Sequence, residues 1–148
     1  GEVFTDDKDK NILQSIDVKK LINNNFNPVT ESKTLEALIE KIAASDNVIF
    51  PVLNDDKKLI GLIYLDDIRP IIFSAFKVKY TSITEVLQLV KDKDIVDFED
   101  TIETIMNKFE TTQQIILPVV QNKIFIGFIS KSDILEKYRE QLKELVIE

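Results

Sequence analysis

The residue types that carry most enzyme chemistry are absent from this sequence. Its 148 residues include no cysteine and no histidine. Thiolate nucleophiles, Ser-His and Cys-His catalysis and the commonest zinc ligand are therefore excluded. Carboxylates could still bind Mg²⁺ or Ca²⁺, but no acidic loop of the Asp-x-Asp-x-Asp-Gly type occurs. We predict that the chain is not an enzyme, with no catalytic residue and no metal site.

Ser130 and Asp133 are a polar pair with the spacing of a helix N-terminus. In a Ser-x-x-Asp pattern the hydroxyl accepts a hydrogen bond from a backbone N–H of the first turn. An acidic residue in that turn stabilises a helix by roughly 0.3–1 kcal/mol without any ligand. One interpretation of the pair is therefore purely structural.

The net charge of −7 limits the partners of the chain. It repels phosphate backbones and anionic lipid surfaces, so we expect no nucleic acid partner. No apolar run approaches the roughly 18 residues that a membrane span needs. The N-terminus carries Glu2, Asp6 and Asp7 where a signal peptide has basic residues. We predict a fragment that is itself soluble, and the lack of cysteine fits a reducing compartment.

One segment of the sequence occurs twice, and this repetition is the strongest signal for the fold. Residues 32–68 align with residues 99–134 with one residue of slack at Asp56. The identical pairs include Thr34/Thr101, Pro51/Pro118, Val52/Val119, Gly61/Gly127 and Asp67/Asp133. We predict an N-terminal linker over residues 1–16, a first repeat over 17–79 and a second repeat with a C-terminal helix over 80–148.

Each repeat is predicted to run in the order β-α-β-β-α. Apolar residues at i, i+3, i+4 and i+7 from Leu35 and from Ile102 predict two amphipathic helices. A two-strand hairpin and a second helix follow in each copy. The predicted strands are Pro28–Thr30, Val48–Leu53, Leu59–Tyr64, Ile95–Phe98, Ile115–Val120 and Phe125–Ile129, and the second helices are 66–76 and 132–145. The fold class is α/β (α+β), with the two repeats packed together about a pseudo-twofold axis, because neither alone buries much core.

Local details follow from the same patterns. Asp100 with Glu103 is a plausible capping pair for the second copy's first helix, and Pro70 should lie near a helix start, where its missing N–H costs least. We interpret Asn23–Asn25 as a solvated turn and Asp6–Lys10 as a flexible linker. Five large side chains on the second helices are expected to bury against another chain or repeat, namely Phe73, Phe76, Tyr138, Leu142 and Leu145.

The repeated pattern resembles the CBS domain, and two in tandem resemble a CBS pair, or Bateman module. The residues that carry the resemblance are Ile49-Phe50-Pro51-Val52 with Gly61…Asp67-Ile68, and Ile116-Leu117-Pro118-Val119 with Gly127…Asp133-Ile134. It covers the chain from roughly Val18 to Tyr138. CBS pairs commonly bind adenosine-type ligands between their repeats, so the resemblance implies AMP, ADP, ATP or adenosine as a regulatory ligand, with no cofactor required.

The family's ligand motif, Gly-apolar-x-Ser/Thr-x-x-Asp, is intact in the second repeat at Gly127 to Asp133. The resemblance implies that Asp133 accepts the ribose hydroxyls, that Ser130 and the helix N-terminus hold phosphate, and that Lys131 adds a charge. Backbone at Ile95 and Val96 would pair with the adenine edge.

The first repeat departs from this motif. Tyr64 stands where Ser130 stands, and tyrosine cannot cap a helix and would crowd a phosphate, although its ring could stack on a base. For Asp67 we favour a structural role over a ligand contact.

Three further stretches resemble the C-terminal cytoplasmic domain of bacterial ClC chloride channels and transporters: residues 3–10, residues 47–52 and residues 65–73. This resemblance implies a regulatory domain at the cytoplasmic face of the cell membrane, part of an integral membrane protein and working with its transmembrane ClC domain. ClC proteins are twofold dimers, so a homodimer is expected. The alternatives are a purely structural dimerisation tail, or a CBS pair of another transporter or of a soluble enzyme.

Overall fold

The computed structural model describes residues 7–147, which form short strands and mostly short helices. The strands are β1 (Val29–Thr30), β2 (Ile49–Leu53), β3 (Leu59–Tyr64), β4 (Gln88–Leu89), β5 (Val96–Asp97), β6 (Ile116–Gln121) and β7 (Ile124–Ser130). The helices are α1 (Asp7–Gln14), α2 (Leu35–Ala43), α3 (Leu65–Ile72), α4 (Ala75–Tyr80), α5 (Ile83–Val86), α6 (Ile102–Thr112) and α7 (Lys131–Ile147). Within the described residues, no helix combines the length and apolarity needed to cross a bilayer.

The predicted β-α-β-β-α order is confirmed in both repeats, as β1-α2-β2-β3-α3 and β5-α6-β6-β7-α7. The α/β class is confirmed as well, since two small sheets are combined with helices. The apolar stripes explain the helices: Leu35 and Leu38 on α2, and Ile105 and Phe109 on α6, are each at most 2% exposed. The strands β2 and β6 are buried along most of their length, as their apolar runs predict.

The described chain divides into two compact units that do not follow the order of the sequence. The repeat-1 unit consists of residues 25–92 with 122–125, and the repeat-2 unit of the described residues up to 24, 93–121 and those from 126 on. The start of the predicted first repeat, up to residue 24, therefore belongs to the spatial unit of the second. The boundaries of these spatial units differ from the predicted limits of 17–79 and 80–148. Those limits describe the repeats in the sequence and not the compact units in space.

Each unit has its own sheet and core. The strand order is β1-β2-β3-β4 in one and β5-β6-β7 in the other. In both, the short first strand pairs in parallel with the second at matching positions, Val29 with Val52 and Val96 with Val119. The repeat-1 core includes Val52, Ile63 and Ile68, and the repeat-2 core includes the aligned residues Val119, Ile129 and Ile134. The sequence repetition is thus a repetition of core positions.

The helix predicted over 66–76 is wrong as a single element. It is α3 and α4, because Ser74 begins a new helix: its Oγ accepts a hydrogen bond from the Lys77 N–H at 3.3 Å. Pro70 lies inside α3, toward its end and not near its start. Proline removes an intrahelical donor, and α3 ends two residues later at Ile72.

The linker interpretation is also wrong for the described part of Asp6–Lys10. Residues 7–14 form α1, and Ile12, Leu13 and Ile16 are each at most 6% exposed. Leu13 and Ile16 belong to the repeat-2 core. Asp6 lies outside the described residues.

Two further local predictions need correction. Asn23 is not in a solvated turn, because it forms an antiparallel bridge with Phe128 through two backbone hydrogen bonds of 2.7 and 2.8 Å. The N-cap of α6 is Thr101, whose Oγ1 accepts from the Thr104 N–H at 3.2 Å. The Asp100 carboxylate instead accepts from the Asp97 N–H at 2.9 Å.

Candidate functional site

The junction of β7 and α7 holds the second-repeat motif. Ser130, at the end of β7, accepts a hydrogen bond on Oγ from the Asp133 N–H at 3.1 Å. Its Oγ also lies 3.3 Å from that of Ser132, and the Lys131 N–H donates to the Ile115 carbonyl at 2.9 Å. The hydroxyl therefore caps α7, and the exposed Asp133 carboxylate lies in the first turn. The capping interpretation of Ser130 is confirmed.

Position 127, three residues before Ser130, requires glycine because the segment 22–23 approaches it closely. A Cβ atom at Gly127 would lie 2.5 Å from the Asn23 carbonyl oxygen and 2.8 Å from Cγ2 of Ile22. Its φ of +155° is also one that residues with side chains rarely adopt. The glycine thus allows residues 22–23 to lie directly on β7, beside the motif.

Ile95 and Val96 lie at the start of β5, where a lysine holds the backbone. Lys108 donates from Nζ to the Ile95 carbonyl at 2.7 Å and to the Asp100 carboxylate at 2.9 Å. The Lys108 and Asp100 side chains are only 23% and 20% exposed. Val96 is 1% exposed as a whole residue, so neither its side chain nor its backbone is open to solvent.

A shallow cavity that is open to solvent lies in the repeat-2 unit beside these elements. Its floor is apolar and includes Val96, Ile105, Val119 and Ile129, and its rim includes Lys19 and Phe98. Pockets that enclose drug-sized ligands measure roughly 300–1,000 Å³. This cavity does not enclose a ligand, because its closed space is about that of one water molecule; a base could rest on its apolar lining but not enter it.

The structure brings together some of the predicted residues. Val96 and Ile129 line one cavity, and Ser130 follows Ile129 in the chain, so the second-repeat candidates cluster in one unit. Sequence reasoning missed Lys19 and Phe98. The available signal was the apolar spacing of Val18, Leu21 and Ile22, which pack against the repeat-2 core.

The first-repeat candidates have other surroundings. Tyr64 is the N-cap of α3 without a side-chain cap hydrogen bond. The Asp67 carboxylate accepts from Nε2 of Gln88 at 2.6 Å, which ties α3 to β4. This contact is the kind of structural role that we expected for Asp67. Among the described residues, no group of three or more acidic side chains is placed to hold a metal ion.

The duplicated β-α-β-β-α order, with a sheet and a core in each unit, defines a tandem-repeat α/β module. Residues 18–74 and 86–140 each match the model of the CBS domain. The chain therefore belongs to the CBS domain family, as a tandem pair. CBS domains are regulatory and generally non-catalytic.

Solved structures share this fold. A CBS domain protein from Streptococcus pneumoniae TIGR4 superposes with a TM-score of 0.74 at 21% identity, over 91% of this chain and 94% of that chain. A CBS domain-containing protein from Bacillus anthracis gives 0.73 at 22% identity, over 88% and 98%. The CBS domain of a bacterial CNNM/CorC family Mg²⁺ transporter, solved in complex with ATP, gives 0.72 at 13% identity, over 88% and 92%.

One curated relative is a homoserine O-acetyltransferase from Methanococcus vannielii, 26% identical over 118 residues. The match covers 79% of this chain but only 24% of that protein. The chain thus spans about a quarter of the length of this relative.

Proposed function

We propose that this CBS pair is a regulatory module whose second repeat binds an adenine nucleotide. The observation that carries the proposal is the cavity beside an intact Gly127–Ser130–Asp133 motif. The cavity offers an apolar surface for the base, and the motif offers a carboxylate and a capped helix N-terminus for the sugar and phosphate.

Each predicted residue has a role in this site. Asp133 accepts the ribose hydroxyls, Ser130 and Lys131 contact the phosphate end, and backbone at Ile95 and Val96 pairs with the adenine edge. The contact at Val96 requires its backbone to become accessible, since the residue is 1% exposed here. The Ser130 hydroxyl can still donate its proton while its oxygen accepts from the Asp133 N–H. Tyr64 and Asp67 are the weaker candidates: tyrosine replaces the motif hydroxyl, and Gln88 already contacts the Asp67 carboxylate.

The charges favour a ligand with few phosphates. Lys131 is the cation beside the motif, and the chain of net charge −7 repels a polyanion at long range. We therefore expect adenosine or AMP to bind with higher affinity than ATP, or at least the affinity that ATP gains from its extra phosphate contacts to be reduced.

A thermal-shift and calorimetry series with adenosine, AMP, ADP and ATP tests the proposal. Ligand at about 100 times its Kd raises the free energy of unfolding by roughly 2.7 kcal/mol. Asp133→Ala should abolish the shift, whereas the matched variant Asp67→Ala should keep most of it. If none of the four compounds at millimolar concentration changes the melting temperature, the proposal fails and a purely structural role becomes the better one.

For the parent protein we propose a ClC-type channel or transporter, on the strength of residues 3–10, 47–52 and 65–73. In this setting the module lies at the cytoplasmic face of the membrane, contacts a transmembrane ClC domain and pairs with a second copy. The nucleotide would then shift the equilibrium of the transport domain toward the state in which the CBS pair binds the nucleotide more tightly. Sequencing the complete reading frame is the test, because a ClC parent requires about ten apolar spans before the CBS pair.

A second candidate is the CBS pair of a soluble enzyme, and the match to part of a homoserine O-acetyltransferase favours it. The same reading frame separates the two candidates: an acyltransferase-like domain in place of apolar spans would establish the second. Both candidates share the second-repeat nucleotide site, so the binding series above applies to either.

A further inference from the structure

Lys19 occupies the rim of the repeat-2 cavity and is outside the motif. Its Nζ lies 4.4 Å from the centroid of the Phe98 ring and 3.4 Å from Oε2 of Glu99. The lysine side chain is 44% exposed and that of Glu99 is 72% exposed. The ammonium thus covers one face of an aromatic ring at the mouth of an apolar cavity, held by an exposed carboxylate.

The fold places Lys19 there through residues on either side of it. Val18–Leu21 form one 3-10 turn, and Val18 and Ile22 both line the cavity. Asn23 then pairs with Phe128 on β7, two residues before Ser130. The turn is therefore anchored along the strand that ends in the motif, although it precedes that strand by about 100 residues of sequence.

The neighbouring Lys20 has different surroundings. Its side chain is 83% exposed and its Nζ lies 3.9 Å from the Asp17 carboxylate. It does not line the cavity as Lys19 does. Lys20 has the same charge and nearly the same sequence position, so it is a matched control.

We infer that Lys19 is the residue that selects a phosphorylated adenine ligand over the free nucleoside. This inference rests on the proposed function and adds a second cation to the site, from a segment outside the Gly127–Asp133 ligand motif and its first-repeat counterpart. The ligand phosphate replaces Glu99 as the partner of the ammonium, and the base gains the face of Phe98 that the ammonium covers. An exposed ion pair and an exposed cation–π contact are both weak, so the exchange costs little.

The position also limits the number of phosphates. Asp97 lines the same cavity and Glu99 lies beside Lys19. One phosphate can take the place of the Glu99 carboxylate, but additional phosphates would meet uncompensated acidic side chains. Lys19 therefore accounts for a preference for AMP over adenosine without creating one for ATP.

The test compares Kd values of AMP and adenosine for the native chain, Lys19→Gln and Lys20→Gln by calorimetry. A charge-assisted hydrogen bond to phosphate supports an expected loss of about 5- to 10-fold in AMP affinity for Lys19→Gln. Adenosine affinity should stay within about twofold, and Lys20→Gln should match the native chain for both ligands. The AMP affinity of the native chain should fall with added salt more steeply than that of Lys19→Gln.

A second variant, Glu99→Gln, removes the carboxylate charge that pairs with the Lys19 ammonium. It should lower the Kd of AMP by about two- to threefold and leave the Kd of adenosine unchanged. An unchanged AMP-to-adenosine ratio in Lys19→Gln overturns the inference while leaving the nucleotide site intact. An equal loss for both ligands would also overturn it, because Lys19 would then only shape the cavity. If the native chain binds neither compound, the selection by Lys19 fails; the proposed function fails with it only if ADP and ATP do not bind either.

Discussion

The carbonyl oxygen of Asn23 lies so close to Gly127 that a Cβ atom there would be only 2.5 Å away. Only glycine, which has a hydrogen in place of Cβ, fits this position. The repeat-1 unit contains the same arrangement, with the Gln88 carbonyl 2.6 Å from a Cβ position on Gly61. Asn23 and Gln88 are thus equivalent residues: Asn23 bridges Phe128, and Gln88 pairs with Leu62. The repetition extends beyond the aligned segments.

Gly127→Ala should destabilise the protein by roughly 1–3 kcal/mol, because backbone must move to admit the methyl group. Gly61→Ala should have a similar but smaller effect, since only Gly127 combines the close approach with a φ of +155°. Urea unfolding followed by circular dichroism measures both. An unchanged midpoint for Gly127→Ala would contradict the close approach of Asn23.

Lys108→Met should cost about 1–2 kcal/mol, because the half-buried Lys108 ammonium donates to both the Ile95 carbonyl and the Asp100 carboxylate. The control is Lys137→Met, which removes an exposed pair with Glu140 and should change stability by less than about 0.5 kcal/mol. Equal effects of the two substitutions in chemical unfolding would show that the network at β5 contributes no more than a surface pair.

Ser130→Ala should destabilise the protein by about 1 kcal/mol, because it removes the acceptor of the Asp133 N–H at the start of α7. Ser132→Ala is the neighbouring control, with an expected change within about 0.5 kcal/mol. Thermal unfolding without ligand separates this capping role from any role in binding. A Ser130→Ala protein as stable as the native chain would mean that the cap is dispensable.

Phe76→Asp should weaken self-association without lowering stability. Three aromatic side chains on α4 or just before it are exposed: Phe73 (85%), Phe76 (72%) and Tyr80 (63%). The centroids of the Phe76 and Tyr80 rings lie 4.8 Å apart. Exposed apolar clusters of this kind usually mark interfaces. Light scattering over a concentration series measures the effect, and Leu89→Ser, at another exposed apolar residue, is the control. A native chain that stays monomeric at high micromolar concentration would contradict the predicted homodimer.

Tyr138 has a different role from these aromatic residues. It is partly buried against the core of its own repeat-2 unit, whereas Leu145 near the end of α7 is 46% exposed. Any interface that includes α7 therefore involves the end of the helix more than its middle.

The fold was largely predictable because repetition made each half of the sequence a check on the other. Proline and glycine pairs fixed the strands, and periodic apolar residues fixed α2 and α6. The break after Ile72 was missed because Ser74 competes with helix continuation through a cap that periodicity does not reveal. The roles of residues 7–24 were missed because their partners, such as Phe128, are distant in sequence.

The candidate site was only partly predictable. The motif gave Ser130 and Asp133, and the structure confirms the cap at Ser130. Sequence could not show that Lys108 holds the Ile95 carbonyl or that Lys19 lies over Phe98, since these contacts depend on tertiary packing. The ligand contacts assigned to Asp133, Lys131, Ile95 and Val96 stay predictions.

The grouping of α1 with the second repeat has a consequence for synthesis on the ribosome. Leu13 and Ile16 emerge before their partners in residues 93–134 have been translated. At roughly 5–20 residues per second, these apolar side chains wait for several seconds or longer without their core. Residues 25–92, the larger part of the repeat-1 unit, can fold during that interval, since they lie entirely within the loop that the Asn23–Phe128 bridge later closes. Leu13 and Ile16 can dock only afterwards, and until then they are open to chaperones and to aggregation.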